Sequence, residues 1–146
     1  MPHWLHWLQE WLTRDPVSQF NDPILGEIML NESAWECAVN SPSGRITLRV
    51  GGRYEPDEAL LESARQTFHN LPRFIDRVTD YLREESEHET WQEFAEEISA
   101  LRINDVNYWW PRKPQVGMIF FKGPDECKIW HCDIDGSRLF GLAFDS

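Results

Sequence analysis

The residues in this chain whose types could do chemistry cluster towards its C-terminal end, where Cys127, His131, Cys132 and Asp133 fall within seven positions. On an extended strand, alternate residues share a face, so Cys127, Ile129, His131 and Asp133 would line one side. Cys127 and His131 would then stand about 13 Å apart, too far to hold one metal ion, and His131 with Asp133, about 7 Å apart, offers only two ligands. Cys132 and His131 are neighbours and point to opposite faces, which breaks a thiolate–imidazole pair; Cys37 opposite His131 is left geometrically open. Trp109, Arg112, Trp130 and His131 are the residues a small-molecule pocket would draw on. No phosphate-binding loop, dinucleotide fingerprint, HExxH or nucleophile elbow is present. Asp133-x-Asp135-Gly136 lacks the remaining ligands of a calcium loop and reads as a turn. On these grounds no catalytic residue, metal or cofactor is assigned.

The elements that would position these residues emerge from periodicity. Val116 to Phe121, Lys128 to Ile134 and Leu139 to Phe144 read as three strands separated by Gly123-Pro124-Asp125 and Asp135-Gly136-Ser137. Arg102 to Trp110 precedes them as a fourth. Near the other end, Leu25 to Leu30, Ala34 to Val39 and Arg45 to Val50 form a three-stranded group. In the last of these Ile46, Leu48 and Val50 face inward. Between the groups, Pro56-Asp57-Glu58 starts a helical segment reaching residue 85, which Pro72 makes either one kinked helix or two. Thr90 and Glu93 suggest a capping box for a further helix carrying Trp91, Phe94, Ala95, Ile98 and Leu101. Thr13 to Pro23 reads as a polar connection. Pro2 to Leu12 places Trp4, Trp7 and Trp11 on one arc of an amphipathic helix.

The fold expected is α+β, with two antiparallel β-meanders, of about three and four strands, flanking a central helical segment and an added N-terminal helix. A length of 146 residues suits a single domain, with the amphipathic helix over 1–12 and the core over 24–146.

Composition narrows the functions. With 25 acidic against 14 basic residues the formal net charge is −11, which opposes binding to nucleic-acid phosphates or anionic lipid and favours a basic protein partner. No apolar run has transmembrane length, the start lacks the basic region of a signal peptide, and three cysteines make no paired framework. A cytoplasmic location is expected. The acids Glu84, Glu85, Glu93 and Asp133 are candidates for an acidic contact surface, and Trp4, Trp7 and Trp11 for aromatic anchors to a partner or to a second copy of the chain.

Asp22-Pro23-Ile24-Leu25-Gly26, the strand carrying Trp35, the acidic helical middle from Pro56 and the closing Ile129-Trp130-His131, Asp133 and Leu139-Phe140-Gly141 together resemble small bacterial domains of the family called domain of unknown function 2262 and its relatives. The likeness covers about residues 21–146. Where that family closes on Phe-Trp-Gly-His, this chain has Ile129-Trp130-His131-Cys132. Relatives of that kind are connected with toxin neutralisation, so the resemblance implies an immunity-like, non-enzymatic protein-binding role. The alternative is a small-molecule-binding domain or intracellular enzyme with a pocket near His131 and Trp130.

Overall fold

The computed structural model describes residues 19–146; the helix expected over 1–12, with Trp4, Trp7 and Trp11, lies outside the described residues. In chain order the elements are β1 (Gln19–Asp22), β2 (Gly26–Asn31), β3 (Ala34–Ser41), β4 (Gly44–Val50), α1 (Glu58–Phe68), α2 (Leu71–Glu87), a 3₁₀ helix (Glu89–Phe94), α3 (Ala95–Ser99), β5 (Arg102–Tyr108), β6 (Val116–Lys122), β7 (Ile129–Asp135) and β8 (Arg138–Asp145).

The two expected meanders are one sheet. All eight strands lie side by side in sequence order, and β4 joins β5 in parallel with Leu48 opposite Val106 and Val50 opposite Tyr108. Every other neighbouring pair is antiparallel. The helical segment supplies the long crossover that a parallel pair requires, and it returns the chain to the end of the sheet from which β4 started. Joining the two groups also hides two edges that separate meanders would leave unpaired. The sheet begins earlier than expected as well. Gln19–Asp22, within the stretch read as a connection, pairs with β2 from Gln19 opposite Met29 to Asp22 opposite Gly26.

The helices pack on one face. Alternation along β4 buries Ile46, Leu48 and Val50, and the same rule buries Trp130, Cys132 and Ile134 on β7. Asp57 caps α1 through the amide of Leu60 at 3.1 Å. Leu60, Leu61, Ala64 and Phe68 turn to the sheet. Pro72 starts a helix rather than kinking one: Asn70 caps α2, accepting from Arg73 N, and Pro72 sits in the first turn, where a missing N–H costs nothing. The segment is therefore two helices. The expected cap at Thr90 is replaced by His88, whose Nδ1 accepts from the Thr90 amide, and the chain continues as the 3₁₀ helix before passing into the short α3.

A register shift between β7 and β8, near His131 and Asp133, frees a backbone donor that the helical layer uses. The Leu142 amide donates to Tyr81 Oη at 3.0 Å, tying α2 to the last strand.

The turn from β4 into α1 depends on Gly52. Its φ is +152°, and a Cβ there would lie 2.1 Å from the Glu55 carbonyl oxygen. Gly52→Ala is expected to lower stability by about 1–3 kcal/mol, since loop and side chain cannot both keep their places. Urea unfolding measures this; an unchanged midpoint would mean that the loop rearranges freely.

Candidate functional site

The most strongly charged concavity among those described is an open groove of about 850 Å³ where the end of the helical layer meets the β6–β7 turn. Glu93, Glu96 and Glu97 line it from the 3₁₀ helix and α3, and Asp125 and Glu126 from the turn, against the single cation Lys128. Local sequence builds both walls. The 3₁₀ helix and α3 spend their apolar residues, Trp91, Phe94 and Ile98, on the core, which leaves the glutamates outward. The turn holds itself with Cys127 N–H donating to Asp125 Oδ1 at 2.9 Å.

Behind Lys128 lies an aromatic cluster whose rings do not themselves line the groove. Trp130 packs against Phe144 at 4.7 Å between ring centroids, Trp91 at 5.3 Å and Phe94 at 5.9 Å. Lys128 Nζ lies 4.6 Å from the Phe94 ring centre and 3.0 Å from Glu97 Oε2, with Asp125 Oδ2 at 3.7 Å. The one ammonium is thus already engaged by two carboxylates and a ring face, and Glu93, Glu96 and Glu126 have no ion-pair partner among the described residues. A surface with this charge balance can attract and orient a cationic group.

Of the acidic contact residues expected from sequence, Glu93 lines this groove. Glu84 and Glu85 are on α2 outside its lining, and Asp133 projects from the opposite face of the sheet, since Cys132 and Ile134 beside it point into the helical layer. Asp125 and Glu126, which share the groove with Glu93, were legible in sequence only as turn residues; nothing local places them beside α3.

The four residues expected to line a ligand pocket are dispersed. Trp130 is fully buried, whereas His131 lies on the other face, with Nε2 3.2 Å from Asp145 Oδ2 and its ring 5.9 Å from that of Phe120. Arg112 borders a recess of about 400 Å³ with Trp110, Lys113 and Val116, and Trp109 is not part of that lining. Cys127 precedes β7 in the turn and is exposed. Cys37 and Cys132 are buried in the helical layer, away from His131; burial pushes their thiols up to about 11 and about 12, helped by Asp22 at Cys37 and by Asp133 and Glu85 at Cys132. At neutral pH both stay protonated and unreactive.

The outer face of the sheet carries a polar network across the parallel seam. Arg49 donates from Nε to Glu36 and from Nη1 to Asp105, each at 2.8 Å, and Asn104 donates to the other Asp105 oxygen at 2.6 Å. Its members satisfy one another and hold β3, β4 and β5 in register.

Among the described residues, no group of three or more His, Cys, Asp or Glu side chains could hold a metal ion, and no helix is long and apolar enough to cross a membrane. Comparison with protein families, with curated proteins and with solved structures finds no match.

Proposed function

We propose that this chain is a non-enzymatic, immunity-like protein-binding domain that captures a basic partner through the acidic groove. The observation that carries the reading is the convergence of five carboxylates, from two segments remote in sequence, around one already paired lysine. The chain's net charge of −11 would add long-range steering to that local surface. The resemblance to the domain of unknown function 2262 agrees with such a role. Three free cysteines suit a cytoplasmic, reducing setting. The tryptophans Trp4, Trp7 and Trp11 would add aromatic contacts to the same partner or to a second copy.

The test is capture from host lysate at low and at high salt, with the wild type and with Glu93→Lys, Glu96→Lys, Asp125→Lys and Glu126→Lys combined. One basic protein should be retained at low salt, released at high salt and recovered about tenfold less by the variant. Asp76→Lys with Glu87→Lys, which moves charge elsewhere on the surface, should leave capture nearly intact. Equal recovery by the groove variant, or no basic protein at all, would overturn the proposal.

A further inference from the structure

A second cavity, of about 270 Å³, has the opposite electrostatic character. It opens between the C-terminal end of α1, the middle of α2 and the β7–β8 hairpin, and its lining includes Gln66, Thr67, Arg77, Tyr108, Gln115 and Ser137. An adjoining recess of about 260 Å³ shares Gln66, Thr67 and Arg77 and adds Arg73 and His69. Neither lining contains an acidic residue, in a chain with 25 of them. The walls therefore present arginine, hydroxyl and amide groups without a carboxylate.

Arg77 is the residue that this arrangement leaves unexplained. Its Nη1 donates to the Ser137 carbonyl oxygen at 3.2 Å, and its Nε is buried without any hydrogen-bond partner. Among the described residues it enters no ion pair, whereas Arg49, Arg65, Arg83 and Lys128 each face at least one carboxylate. A half-buried guanidinium lacking both a counter-charge and a partner for one donor is costly unless a ligand completes it. Beside it, Thr67 Oγ1 donates to the Ser63 carbonyl oxygen at 3.0 Å and shares a 2.6 Å hydrogen bond with Tyr108 Oη, which fixes the cavity wall with both hydroxyl protons engaged inside the protein. Planar guanidinium donors next to side-chain amides, here those of Gln66 and Gln115, match an oxyanion.

From this geometry we infer that the cavity binds a compact ligand through a phosphate or carboxylate group, with Arg77 as its principal anchor and Arg73 and His69 adding positive charge at the adjoining recess. Its volume suits a small metabolite-sized anion rather than a polymer. The site lies apart from the acidic groove, shares no lining residue with it, and stands or falls separately.

The test monitors backbone and arginine Nε–Hε resonances while inorganic phosphate, or in a parallel arm succinate, is added at ionic strength held constant with sodium chloride. Saturable shifts of Arg77 Hε and of the Thr67 and Ser137 amides are expected in at least one arm, and the arm that saturates assigns the anion class. Arg77→Gln should weaken the apparent affinity about tenfold or more. Should that variant fold poorly, Gln115→Glu, an exposed change that puts a carboxylate at the cavity, should do the same. Arg83→Gln, which alters an arginine paired with Asp80, should leave the affinity unchanged. Shifts no larger than those produced by chloride, or equal affinity in wild type, Arg77→Gln and Gln115→Glu, would overturn the inference.

Discussion

Trp130→Ala is expected to lower the unfolding free energy by about 3–5 kcal/mol, a large part of the total for a domain of this size. The indole is fully buried and forms the centre of a cluster with Trp91, Phe94 and Phe144. Removing it opens a cavity at the place where the 3₁₀ helix, β7 and β8 meet, so the loss includes both transfer free energy and contacts that relaxation cannot restore. Trp130 Nε1 has no hydrogen-bond partner, so Trp130→Phe loses volume but no hydrogen bond. It should cost about 1–2 kcal/mol, well below the alanine variant. Urea unfolding of both variants at neutral pH measures the difference. A midpoint unchanged in Trp130→Ala would mean that the ring is not a structural keystone, and would return it to consideration as a ligand contact.

Asp22→Ala is expected to cost about 2–4 kcal/mol, because it leaves the Ile24 and Leu25 amides without their acceptor and removes the buried partner of Arg65, which keeps only the exposed Glu58 and Glu62. The Asp22 side chain is fully buried; Oδ1 accepts from Arg65 Nε at 2.7 Å, and Oδ2 accepts from the amides of Ile24 at 3.0 Å and Leu25 at 2.9 Å. One carboxylate thereby closes the β1–β2 turn and anchors α1 to it. Arg65→Ala should give a similar loss, and the double variant should lose much less than the sum.

Acid titration gives an independent check on the same pair. Burial by itself pushes the Asp22 carboxyl up, but the Arg65 hydrogen bond and the two amide donors outweigh it, and the net position lies below the ordinary carboxylate value. A carboxyl whose folded value is depressed stabilises the fold above its unfolded value, about 3.9, and the contribution fades as pH falls from there through the folded value. Wild-type stability should therefore decline over that acidic window more steeply than that of Asp22→Asn, which cannot titrate. Parallel acid limbs in the two proteins would show that the pair contributes nothing to the pH dependence.

These two residues show what kind of information a chain holds locally. Asp22 is recognisable in sequence as a turn residue before Pro23, and the structure keeps that role through its two amide bonds; its partner Arg65, 43 positions later, had no local signature. Trp130 falls on the apolar side of an alternating strand, yet alternation alone does not tell which side the helices will cover. The groove divides in the same way. Glutamates left on the outside of an apolar helical stripe were legible, whereas their meeting with Asp125 and Glu126 depends on where the β6–β7 turn comes to rest.

By itself the sequence determined the period-two burial of β4, seven of the eight strands, the start of α1 and the acidic balance, because each depends on neighbours within a few positions. Tertiary structure decided that β4 and β5 fuse two groups of strands into one sheet, that Gln19–Asp22 becomes its edge, and that arginine and carboxylate side chains segregate into separate cavities. The β4–β5 adjacency comes from contacts across some fifty residues of crossover, and the charge convergence from contacts across about thirty, where the free energy lies in burying shared apolar surface and satisfying backbone edges rather than in any local preference.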